Sequence, residues 1–219
     1  MNATYAFLTG PLAWVVWGVF LLGSIGRLVF LCRLAKARDA SSVAYLSAWY
    51  SLRSITRWLI PYGTLGWQEN PAMTAATFLF HLCLVLGALF ASAHAVLWSY
   101  AFGLNVWSLP EVAADVVSLA VVACCLFFAA RRLCLAEVRF VTTPMDWLIL
   151  AIAAAPFATG ILARHHIGPY ALMAVLHVAT GELFLVSIPF TRISHALLAP
   201  LTRAYIGSEF GAVRHAKDW

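Results

Sequence analysis

HVATGELFLVSIPFTRISH, residues 177–195, opens and closes on a histidine, and most of what lies between is apolar enough for a bilayer. Glu182 and Arg192 interrupt it. Ionisable groups inside a membrane are costly, so a chain carries them there for a use. The two histidines are 18 residues apart. That is five turns of a helix at about 3.6 residues per turn, so an unbroken helix would point both the same way.

The rest of the chain has the same character. Of 219 residues, 63% are hydrophobic and 11% are charged, too few charges for a water-soluble domain of this length. Five stretches are long enough to cross a bilayer: Pro11–Leu31, Pro71–Tyr100, Val112–Phe128, Met145–Leu162 and Pro169–Leu198. The expected fold is therefore an all-α integral membrane protein of five transmembrane helices in one domain. No Lys or Arg precedes Arg27, so the first stretch lacks the basic lead of a signal peptide and is expected to stay as a span.

Charge sets the expected orientation. Thirteen of the 14 basic residues lie after, or near the inner ends of, spans one, three and five, and Arg164 alone lies on the other side. By the positive-inside rule the N-terminus is outside and the C-terminus cytoplasmic. Trp98, Tyr100, Trp107 and Tyr170 then mark the outer interface, and Trp58, Trp67 and Trp147 the inner one. Basic residues that flank spans are topology signals, which argues against nucleic acid as a partner. The five cysteines form no CxxC pair and lie in or beside apolar runs, so they read as buried thiols.

Between spans one and two, about residues 42–60, Leu46, Trp49, Leu52, Ile55 and Leu59 recur every three or four positions, with serines and arginines between them. This predicts an amphipathic helix on the membrane or under a partner subunit.

Four of the seven histidines, His81, His94, His177 and His195, fall in or at the ends of spans two and five. These spans run in opposite directions. At about 1.5 Å per residue, His94 and His177 can share one depth and His81 and His195 another. Two histidine pairs stacked across two helices are how a bundle holds two haems, since neutral imidazole is a good axial ligand. The alternative is neutral histidines hydrogen-bonded between helices. One discrepancy stands: His81 and His94 are 13 residues apart, about 140° out of phase on an ideal helix, so span two needs a bulge or kink. Pro189 offers a bend in span five. Gly87 and Gly181 lie on the faces of His94 and His177, where a missing side chain either admits a macrocycle or serves close helix packing.

RRLCLAEVRFVTTPMDWLIL (131–150), LHVATGELFLVSIPFTRISH (176–195) and LTRAYI (201–206) resemble the gamma subunit of respiratory nitrate reductase. With YAFLTGPLAW (5–14), the chain is more similar to the membrane cytochrome b subunits of the Hmc and Tmc transmembrane redox complexes of sulfate-reducing bacteria. The resemblance implies five spans and two b haems between helices two and five. It places axial ligands at His177, His195 and His81, and the fourth at His94, whose spacing departs from the nitrate reductase pattern. It also places Arg192 beside the inner haem, where a propionate is its natural partner. Glu182 departs from the nitrate reductase subunit.

The function implied is a di-haem b subunit in the bacterial cytoplasmic membrane. It would carry electrons between a periplasmic multihaem cytochrome c, or menaquinol, and a cytoplasmic iron–sulfur subunit, alongside other membrane subunits, with no catalytic site of its own. Two rivals stand beside it. One is a quinol-reactive subunit in which Glu182, Arg164 and His166 handle protons or quinone. The other is a haem-free membrane anchor or small transporter.

Overall fold

The computed structural model describes residues 3–40 and 44–218, and every regular element among them is helical. Ten helices position the site: α1 (Ala3–Arg38), α2 (Ala48–Leu59), α3 (Leu65–Glu69), α4 (Pro71–Phe90), α5 (Ser92–Phe102), α6 (Glu111–Cys134), α7 (Ala136–Val141), α8 (Pro144–Arg164), α9 (Tyr170–Phe190) and α10 (His195–Ser208). Five of them, α1, α4, α6, α8 and α9, are long and apolar enough to cross a membrane. Each contains or overlaps one expected span. Large apolar side chains such as Leu22, Leu82 and Leu126 point outward along them. That surface suits lipid rather than water.

Two expected spans are broken. Span two divides at Ala91, between α4 and α5. Span five ends at Phe190; Thr191 is extended (φ −120, ψ −174), Arg192–Ser194 makes a tight 3-10 turn, and α10 starts at His195. Pro189 accounts for the second break, because it cannot donate to the carbonyl four residues back and its ring crowds that turn. Thr191 then caps the next turn, its hydroxyl oxygen accepting from the Ile193 N–H at 3.1 Å. His177 and His195 are therefore not on one helix, and the five-turn phase between them does not hold.

The chain forms two compact units. The first gathers the residues up to Ala13 with Ala76–Phe184. Its core is Cys83, Leu109, Val117, Val121 and Cys125, with Phe80, Phe90, Leu150 and Phe157 packed on it. α8 opens on a capping box: Asp146 accepts from both the Thr143 N–H (2.8 Å) and its hydroxyl (2.7 Å), with Pro144 at the first helical position. Gly87 is where α4 meets its neighbours, for a Cβ there would stand 2.9 Å from the Phe157 ring and 3.3 Å from Val117. Its missing side chain leaves room for these neighbours. The thiols divide as well: Cys83, Cys124 and Cys125 are buried, while Cys32 and Cys134 are exposed on their helices, contrary to the expectation that all five are buried.

The second unit holds Trp14–Ala75 and the chain from Leu185. Gly23 of α1 leaves room for the Pro189 ring, 2.9 Å from where a Cβ would be. α2 is the amphipathic helix; positions 42 and 43 of the expected segment lie outside the described residues. Its polar face is turned to the protein. The Ser47 N–H donates to the Ser208 hydroxyl at 3.0 Å, and Ser51 and Ser208 share a bond of 3.1 Å. Ser54 bonds Asp218 and accepts from Arg203 at 2.7 Å. The Asp218 side chain is fully buried and is paired with Arg203 at 2.7 Å. The apolar face points out, with Trp49 71% and Leu52 61% exposed. A helix on a water-facing surface does the opposite.

Candidate functional site

The break at Ala91 frees backbone acceptors, because the last carbonyls of a helix have no intrahelical partner. Three successive ones are collected by three different donors. His94 Nδ1 donates to the Ala88 carbonyl (2.8 Å), Trp98 Nε1 to Leu89 (3.0 Å), and the Leu109 N–H to Phe90 (2.7 Å). The ideal-helix phase of about 140° between His81 and His94 therefore does not apply, because the helix is broken between them. His94 sits on α5, which begins anew, and its ring is held back against the end of α4.

His177 is on α9, facing α8. Its Nδ1 donates to the Pro156 carbonyl at 2.8 Å. Its ring lies beside Gly160, whose absent Cβ would come within 3.1 Å of both Cε1 and Nδ1. The Thr159 and Thr180 hydroxyl oxygens approach to 3.3 Å where the two helices meet at the same level. The His94 and His177 rings have centroids 5.8 Å apart and planes within 10° of parallel. This is the pair of site histidines that the structure brings together within one unit.

His81 lies in the first unit and His195 in the second, and each is described within its own. The Nδ1 of His81 donates to the Thr77 carbonyl one turn back at 2.8 Å, and its ring meets Phe80 edge-on. The Nδ1 of His195 donates to the Arg192 carbonyl at 2.9 Å. All four membrane histidines therefore share one feature: Nδ1 is committed to a backbone carbonyl. A ring that donates from Nδ1 in its neutral form carries its lone pair on Nε2, the arrangement that orients a metal-ligating histidine.

The other predicted residues fall as follows. Arg192 is exposed in the turn before His195. Gly181 has nothing within 4 Å of its missing Cβ, so that side of α9 is open. Glu182 keeps one buried carboxylate oxygen with no hydrogen-bond partner among the described residues. Arg164 is ion-paired with Glu111 (3.2 Å) and Asp115 (2.8 Å), and His165 approaches Asp115 at 3.2 Å. His166 has a positive φ of 53° and packs its ring on Tyr170. Sequence reasoning missed Glu111 and Asp115, which lie about fifty residues from Arg164 in the chain. It also missed Pro156 and Gly160, whose only signal was a four-residue spacing on one face of α8. Among the described residues no group of three or more His, Cys, Asp or Glu side chains could hold a metal ion.

Fold and site together define a chain whose described residues are all-helical, with five helices fit to span a membrane and a pair of near-parallel histidine rings in one unit. A protein of Nitratidesulfovibrio vulgaris strain Hildenborough, described only as "Protein", is 40% identical over 215 residues, covering 96% of this chain and 95% of its own length. The chain belongs to the same family as that protein. No family model and no solved structure matches it.

Proposed function

We propose that the protein is a di-haem b subunit that carries electrons across a bacterial cytoplasmic membrane. The observation that carries this reading is the His94–His177 pair, with parallel rings, Nδ1 of each committed to a carbonyl, and centroids 5.8 Å apart. The residues fit a haem on two counts. Two imidazoles bonded to one iron through Nε2 at about 2 Å, with about 1 Å more from each nitrogen to its ring centre, put their centroids about 6 Å apart. Two histidines are also too few to hold a bare ion, whereas a haem brings four ring nitrogens and asks the protein only for axial ligands.

His94 and His177 would hold the outer haem. His81 and His195 would hold the inner one, a pairing drawn from the sequence pattern and the family resemblance. A bound haem supplies one-electron exchange between ferric and ferrous iron. The chain's own part is to orient the ligands through the four Nδ1 bonds and to keep water away with the apolar helices around them. Arg192, three residues before His195, would meet a propionate. The basic cytoplasmic loops would dock an iron–sulfur subunit, and the opposite end a multihaem cytochrome c or menaquinol. Five apolar helices and the outward apolar face of α2 support the bilayer as surroundings.

One observation favours the quinol-reactive reading, the buried Glu182 oxygen without a hydrogen-bond partner among the described residues. Arg164 fits it less well, being neutralised by Glu111 and Asp115. A reduced-minus-oxidised spectrum of the purified protein tests the main reading. A b-type α-band is expected, and its absence would sink it. Haem reduction by added menaquinol that Glu182→Gln abolishes would favour the quinol reading.

A further inference from the structure

We infer that α8, a helix without histidines, is the third wall of the outer haem site, and that Gly160 is the positioning residue for His177; this rests on the haem reading above. Two contacts one turn apart on α8 carry the inference. The Pro156 carbonyl accepts the Nδ1 proton of His177 at 2.8 Å, which fixes the tautomer. Gly160 leaves the space the ring fills, since a Cβ there would stand 3.1 Å from Cε1 and 3.1 Å from Nδ1. Few real Cβ contacts are so tight, so any side chain at 160 must push the ring. A ring displaced by a few tenths of an ångström changes its bond to Pro156. α8 and α9 are closely packed at that level, with the Thr159 and Thr180 hydroxyl oxygens 3.3 Å apart, so the change falls on the ring. Gly160 thus acts through His177, setting where its Nε2 points. An axial ligand's orientation and second-shell bond are levers on haem potential.

The test is Gly160→Ala in the purified protein, read by low-temperature EPR and redox titration of both haems. The outer haem is expected to change its low-spin g-values and midpoint potential, or to be lost from most molecules. The inner haem is expected to stay unchanged, which also reports that the chain is folded. Gly26→Ala is the control, because a Cβ there meets nothing within 4 Å; it should leave both haems as they are. Unchanged outer-haem g-values and potential in Gly160→Ala would overturn the inference, as would an equal change in Gly26→Ala. Wild-type protein without haem would instead overturn the functional reading on which it rests. If Gly160→Ala does not fold, pulsed EPR of the wild type decides, through the remote nitrogen of the outer-haem imidazoles. A strong N–H···O=C bond at that nitrogen is expected, and a solvent-bonded nitrogen overturns the assignment.

Discussion

Ser92→Pro separates the broken span from a continuous one. Were span two an unbroken helix from Pro71 to Tyr100, a proline at 92 would remove a ladder hydrogen bond and clash with the carbonyl four residues back. That costs about 3 kcal/mol or more. In the structure Ser92 is the first residue of α5, after Ala91 at φ −57, ψ 140. That ψ is what the residue before a proline prefers. The first helical position tolerates proline because its N–H has no helical partner to lose. The Ala88 carbonyl, which a continuous helix would pair with residue 92, is already taken by His94. Ser92 is exposed, so the ring meets no packed neighbour. Restricting the unfolded chain at a compatible site stabilises by about 0.4–1 kcal/mol. The two descriptions therefore differ by about 4 kcal/mol, nearly a thousandfold in the folded-to-unfolded ratio at about 1.4 kcal/mol per tenfold. Denaturation of the detergent-solubilised protein, followed by tryptophan fluorescence, measures it. Val85→Pro, inside α4, is the reference for a mid-helix proline and should lose about 3 kcal/mol. Ser92→Pro should match or slightly exceed wild type. If it is as damaging as Val85→Pro, the break at Ala91 is wrong, and the placing of His94 with it.

Three further outcomes follow from the packing. Gly87→Ala should destabilise by about 1–3 kcal/mol through overpacking against Phe157, and Phe157→Leu in the same chain should recover part of it, read by the same denaturation assay. Arg203→Met should cost about 3 kcal/mol by leaving the buried Asp218 carboxylate without its closest cation, and adding Asp218→Asn should cost less than the sum of the two single changes. Trp98→Phe removes the donor to the Leu89 carbonyl and should cost about 1–3 kcal/mol, while Trp107→Phe, whose indole only tilts against Phe90, should cost less.

Where these elements begin and end was only partly legible in the sequence. Length and apolarity locate all five long helices, because a bilayer demands about 20 apolar residues whatever their order. The same demand hides a break, since an apolar run reads alike whether its helix continues or restarts. ALFASAHAV (88–96) holds neither Pro nor Gly, so its only signal was the misfit of His94 against His81. At the other break Pro189 was visible, but not that Thr191 would cap a new turn and hand His195 to another helix. For α2 the periodicity gave the two faces correctly and said nothing of which one meets the protein. That choice is made by Ser208, Arg203 and Asp218, about 150 residues away. The histidines were legible as a set because ionisable groups in apolar helices are rare. Their carbonyl partners were not, since backbone acceptors leave no mark in a sequence.

The central claim is that His94 and His177 jointly hold one of two haems. Haem per polypeptide, measured chemically on the purified wild type and on His94→Ala, tests it most directly. The account gives two haems in the wild type and one in His94→Ala, with the remaining haem keeping its own spectrum. Two haems retained in His94→Ala, or none in the wild type, would contradict it.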